Sequence, residues 1–297
     1  MICIKDALTP GCHTRGMSEG ILHGAMDELG SRPSPPPISG ANAPARAAVS
    51  LAPREHGAYG QLVLPLVVAL STGGPSWVGW LFTVAAVAAF ASHEPLLVVL
   101  GRRGRRARSR GGSRALRLLF ATVGIGSLAA ALALAFGSSS ARWGALWCAV
   151  LVVPVAAQIA RDAERSLVGE LLTASMLPAL ALPVALSGGV PGGTAVGVWL
   201  VWSLSFAAAT CAERDTVAHF KRGRALYLRL APLAAVAIVV VSALALGLLG
   251  RMQIVAATPL LATLLAIALR PPHPRQLRRV GWILLVASAI TAALLIV

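Results

Sequence analysis

From Leu51 to the C-terminus the chain is a succession of apolar segments parted by short polar connections. A helix needs roughly 20 apolar residues to cross a hydrocarbon core of about 30 Å. Nine segments reach or approach that length: 57–72, 77–100, 115–137, 142–160, 167–187, 194–212, 228–249, 252–269 and 279–297. Inside a bilayer only helices and closed barrels satisfy their own backbone polar groups. The apolar residues here are mostly Ala, Leu and Val in unbroken runs and aromatics are 5%, so the alternation and aromatic girdles of a barrel are missing. At 57% hydrophobic and 12% charged, the composition also excludes a soluble enzyme. The sequence therefore predicts an all-α polytopic membrane bundle of about nine transmembrane helices. The first segment is the shortest and carries Pro65, which leaves a re-entrant or tilted path as its alternative.

Residues 1–50 contrast with this. Pro33, Pro35, Pro36 and Pro37 stand in a Ser/Gly/Ala context, and four basic residues balance four acidic ones. The stretch is expected to be a disordered tail ahead of one transmembrane domain, 51–297. It has no apolar run after a basic one, as a secretory signal requires. Cys3, Cys12, Cys148 and Cys211 form no C-x-x-C, and two lie inside apolar runs, so they read as structural thiols.

The net charge of +15 suggests nucleic acid in a soluble chain, but in a membrane protein basic residues gather in cytoplasmic loops. Twenty of the 22 basic residues after position 50 precede the first segment or follow an even-numbered one; only Arg142 and Arg251 fall in the other connections. The N-terminus and the even loops are thus expected in the cytoplasm, and the C-terminus outside. The run from Arg102 to Arg117 reads as a topology determinant that also attracts anionic lipid. No aromatic residue is interleaved in Arg102–Arg108 for stacking, so no nucleic-acid partner is expected.

Acidic residues are scarcer and more informative. Glu55, Glu94, Asp162, Glu164, Glu170, Glu213 and Asp215 are the only ones after position 50, and all map to the basic side, as do His56, His93, His219 and His273. Any reactive site is therefore expected to open to the cytoplasm. Glu94, with Leu96–Leu100 still to come, lies about 9 Å below the end of its helix if that helix continues past Pro95. An acid at that depth normally faces a partner or a watery cavity. The competing reading ends the membrane helix at Ser92 and makes Glu94 the cap of a surface helix. Glu170 enters its segment by one turn and is expected to point into the bundle. Asp215 and His219 are four apart and share a helical face, close to Arg214, Lys221 and Arg222. Such a set suits a divalent cation, a proton relay or a phosphate, and equally a salt-bridged juxtamembrane turn. Asp162 and Arg165 form an i, i+3 pair in a connecting loop. Because the first two segments are joined by the short turn Gly73–Ser76, they are expected to run antiparallel, placing Arg54-Glu55-His56 beside Glu94.

The element Pro53-Arg54-Glu55-His56-Gly57-Ala58, followed by a proline-containing apolar helix and by Arg161–Glu170, resembles the YwiC-like family of bacterial integral membrane proteins from about residue 52 onward. That resemblance implies the bacterial cytoplasmic membrane and no particular activity. A second resemblance, of architecture, is to UbiA-type prenyltransferases, which have nine helices and acidic motifs at the cytoplasmic ends of the second and sixth. It implies an isoprenyl diphosphate or other anionic lipidic substrate held through Mg²⁺ by Glu94, Glu213 and Asp215, with Glu94 and Asp215 as metal ligands. Arg54, Arg165 and Lys221 would then neutralise phosphate, and Glu55, His56, His93, Glu170 and His219 would complete the substrate site. The family's Asn-Asp-x-x-Asp and Asp-x-x-x-Asp patterns are absent. The alternatives are a small-solute transporter using Glu94, Glu170 and His93 as a proton relay, and a non-catalytic membrane scaffold.

The charge asymmetry makes a direct prediction: reporters fused after Arg108 or Arg275 are expected in the cytoplasm and reporters after Ser139 or Gly189 outside. Cytoplasmic signals at both of the latter positions would refute that orientation.

Overall fold

In the computed structural model, which describes residues 56–161, 163, 166–223, 225–273 and 276–297, every regular element described is a helix. They are α1 (His56–Thr72), α2 (Trp77–Val99), α3 (Arg105–Phe136), α4 (Ser139–Ala160), α5 (Leu167–Ala179), α6 (Leu182–Ser187), α7 (Gly192–Arg222), α8 (Leu226–Ala245), α9 (Arg251–Leu269) and α10 (Leu277–Ile296). Three of them start where a serine caps them: Ser76, Ser138 and Ser166 each accept a hydrogen bond from the backbone N–H three residues on. Among the described residues, eight helical segments are long and apolar enough to span a membrane, α5 and α6 together forming one of them. The chain is a multi-pass membrane protein. The expected tail, residues 1–50, lies outside the described residues.

Two boundaries differ from the sequence expectation. The third helix begins at Arg105 instead of 115, and the sixth apolar segment continues as helix to Arg222 instead of stopping near 212. Hydropathy marks only the part of a helix that lipid covers. Arg, Ala and Leu go on favouring the helix beyond it, and long arginines reach water or headgroups from its surface. What ends α7 is Gly223, at a left-handed φ of +64°.

The fifth segment is broken in the middle. Pro183 has no N–H to give the carbonyl of Ala179, and that carbonyl accepts instead from the Cys148 thiol of α4 at 3.0 Å. Cys148 is buried and free, the structural role expected of it.

At 17 residues α1 is about 26 Å long, short for a span, and it is accommodated because it packs on α5, α6, α7 and α10. Leu62, Leu66, Val68 and Ala69 are buried there, while Tyr59, Val63 and Val67 remain exposed along one stripe. Helix α3, by contrast, packs mainly on α2 through small residues: Ala115, Ala129 and Ala133 are buried, and a Cβ at Gly126 would stand 3.1 Å from that of Ala88. Apolar side chains gain little from one another in lipid, so close approach of backbones carries this contact.

The end of the bundle away from the Arg102–Arg117 run is pinned by backbone. The N–H of Gly74 donates to the Gly188 carbonyl at 2.7 Å, and a Cβ on Gly188 would come within 2.8 Å of the Gly73 Cα. Since neither backbone can yield cheaply, Gly188→Ala is expected to cost about 1–3 kcal/mol. In detergent its thermal midpoint should fall below that of Gly124→Ala, where a Cβ meets nothing within 4 Å. Equal midpoints would show that this contact does not hold the bundle.

Candidate functional site

The basic-face ends of α1, α2, α4, α5 and α7 enclose a cavity of about 920 Å³. Helix α2 runs unbroken through Pro95, so Glu94 lies inside the helix and is buried. The surface-cap alternative for Glu94 is thereby set aside. Past Leu100 the chain turns sharply: the N–H of Arg102 reaches the carbonyl of Leu97 and that of Gly101 reaches Val98, with Gly101 at φ +78° and Gly104 at +89°. This glycine-based helix stop folds the next residues back over the helix end. Arg103 then grips Glu94 with two bonds, Nε on Oε2 at 3.0 Å and Nη2 on Oε1. Arg102 reaches sideways and donates to the Ala160 carbonyl at the C-terminus of α4, where the helix dipole favours a cation. Arg103 is therefore part of the site, and Arg102 braces the turn beside it. Arg103 was not among the expected site residues; the sequence signal for it was the glycine on each side of Arg102-Arg103, hidden among six other arginines.

A second ion pair closes the opposite wall. Glu170, in the first turn of α5, accepts from Nε of Arg214 on α7 at 2.5 Å. Its inward direction follows from the Ser166 cap, which sets where the helix begins. Around these pairs, His93, Glu213, Asp215 and Lys221 also line the cavity, with Asp215 buried and Lys221 exposed. Much of the remaining wall is apolar, including Val152, Val155 and Ile159 of α4 with Met176 and Leu177 of α5.

Six of the expected residues thus meet in one cavity: Glu94, His93, Glu170, Glu213, Asp215 and Lys221. His219 does not join them. Although it shares a helical face with Asp215 by spacing, it does not line the cavity; its ring stands edge-on to Phe220, which in turn contacts His273 beyond α9. Arg54, Glu55, Asp162 and Arg165 lie outside the described residues, as does the side chain of His56. The start of α1 does reach the site: Ala58 and Gln61 line it, and Tyr59 packs edge-on against Phe90 of α2 at 5.2 Å, the antiparallel neighbourhood expected for these helices.

The donor set does not make a metal site by itself. Among the described residues no group of three or more His, Cys, Asp or Glu is placed to hold an ion, and both Glu94 oxygens are engaged by Arg103.

Residues 52–186, less than half of the chain, match the family model for YwiC-like protein, covering the span from before α1 into α6. No curated protein and no solved structure matches.

The Glu94–Arg103 pair is predicted to be thermodynamically coupled. Arg103→Ala leaves a buried carboxylate without its counter-charge and should cost about 1–3 kcal/mol, whereas removing both partners should cost less than the sum of the single losses. Additive losses in detergent unfolding would show that the two side chains act independently.

Proposed function

We propose that this chain is a YwiC-like protein of the bacterial cytoplasmic membrane whose cavity takes an amphiphile from the cytoplasmic leaflet. The expected substrate is an isoprenyl diphosphate or another anionic lipid. The orientation follows from the basic residues, twenty of 22 on one side. The observation that carries the reading is the cavity's two-part wall. One end presents Arg103, Arg214 and Lys221 among four carboxylates, and the other presents the aliphatic flanks of α4 and α5.

The flank between α4 and α8 would serve as a side entrance: among the described residues α4 packs on α5 and α6, α8 packs on α7 and α9, and no extensive packing joins α4 to α8. Val152 and Leu167 line it while remaining 44% and 43% exposed, and Pro232 of α8 lines it from across. An apolar side chain that borders both lipid and cavity offers a tail a continuous apolar path. The head group then meets the guanidiniums, where phosphate competes with Glu94 or Glu170 for bidentate bonds. Prenyl transfer of the UbiA kind is the reaction this reading admits. Its support is the acids at the basic-face ends of α2 and α7.

Geranyl diphosphate at about 100 times its Kd is expected to stabilise the detergent-purified protein by about 2.7 kcal/mol, a rise of several degrees in Tm, with and without Mg²⁺ as separate arms. Geraniol should give much less, and Arg214→Ala should remove most of the diphosphate effect. Equal shifts from the alcohol and the diphosphate, or none from either, would overturn the reading.

A further inference from the structure

A second large cavity, about 630 Å³, opens at the other face of the bundle. Thr72, Thr194, Trp199, Trp202, Arg251 and Gln253 contribute to its wall. It shares no lining residue with the basic-face cavity, yet the two nearly touch. At the break between α5 and α6, Leu180 lines the basic-face cavity and its neighbour Ala181 lines the other. On α1 a single helical turn separates Gln61, which lines the former, from Pro65, which lines the latter.

The elements between the cavities are those a membrane protein least easily keeps rigid. Helix α1 is the short helix with Pro65 inside, α5–α6 is the broken one, and the two pack on each other. Pro65 deprives the Gln61 carbonyl of its helical donor, and Pro178 does the same to Ala174. Interrupted helices meeting between two opposed cavities are how transport proteins build a movable middle.

Polar bookkeeping at that level is incomplete. Trp202 is fully buried, stacked on Phe206 with centroids 5.3 Å apart, and its indole N–H finds no hydrogen-bond partner among the described residues. The same holds for the buried hydroxyls of Ser203 and Thr291. Buried donors are ordinarily satisfied, and three together mark a packing that another arrangement of the helices can improve. Other donors in the far wall are used: the Trp199 indole N–H donates to the Ser175 carbonyl at 3.0 Å, and Gln253 to the Thr194 carbonyl at 3.2 Å. Charge adds direction: Arg251 gives the far cavity a cation and no Asp or Glu side chain lines it, whereas the basic-face cavity holds cations and acids together. An anionic group finds a counter-charge at both ends, Arg251 at one and Arg103, Arg214 and Lys221 at the other.

We infer that the two cavities are halves of one path that carries an anionic group across the membrane, with α1, α5–α6 and the Trp202–Phe206 stack as the moving partition between them. The inference uses the basic-face cavity of the preceding section but not its lipidic ligand, so the two can fail separately.

The test is thiol accessibility in oriented vesicles, right-side-out and everted, of full-length protein lacking its native cysteines. Single variants Leu180→Cys and Ala181→Cys are treated with membrane-impermeant methanethiosulfonates, the anionic sulfonatoethyl reagent and its cationic trimethylammonium counterpart. A variant that retains Cys211, which lines the basic-face cavity, controls for access from that side. Both new positions should react from both faces, the far face about 10- to 100-fold more slowly, and the anionic reagent should be the faster from the far face. Reaction of each position only from its own face, while Cys211 reacts normally, would overturn the path. So would far-face reaction that appears only after Trp202→Ala, since that describes a static wall, or far-face reaction that favours the cation.

Discussion

A carboxylate within the hydrocarbon layer has to be paired or wetted, and the basic half of this bundle is arranged around that requirement. Glu94 and Glu170 lie one on each side of the same cavity, and each is held by an arginine from another part of the chain. Arg103 comes back over the end of its own helix, whereas Arg214 crosses from α7 to α5. The Arg214 bond reinforces the close packing of α7 on α5, and Arg102 adds a third tie to the end of α4. Holding the charges apart from lipid keeps a polar cavity open inside a membrane domain. The arrangement is costly to break on one side only, because the partner left behind is a buried charge.

Much of this was legible in the residues. Long aliphatic runs made a helical bundle the one available solution, and the clustering of every acid with the arginines placed polar chemistry at one face. The depth of Glu94 and the position of Glu170 one turn into its segment pointed inward for the same solvation reason, and both line the cavity. The rest depended on geometry that transfer energies do not encode. Arg103 is chemically identical to its neighbours in the run, and only the turn at Gly101 and Gly104 selects it. His219 shares a helical face with Asp215 by spacing, yet it does not line the cavity, and its ring stands edge-on to Phe220. The break after Ala179 was hidden because Pro178 and Pro183 sit in a segment of uninterrupted hydrophobicity. The far cavity has almost no titratable residue to announce it; apolar side chains and backbone form most of its wall.

The match to the YwiC-like model ends within α6, so α7 to α10 lie beyond the matched span. Helix α7 nevertheless supplies Glu213, Arg214, Asp215 and Lys221 to the cavity, and its Trp199 and Trp202 line the one opposite. The matched region contributes Glu94, Arg103 and Glu170. The cavity is thus a joint product of the two parts of the chain, and its charge balance belongs to neither alone.

The contact of Gly73 and Gly74 with Gly188 places two peptide backbones against each other with no side chain between them. Such a joint resists sliding but tolerates a change of angle. The helices that enter it, α1 and α2 on one side and α6 and α7 on the other, therefore behave as the arms of tongs riveted at the tip. Small rotations at the rivet become their largest displacements at the opposite end, among the paired charges.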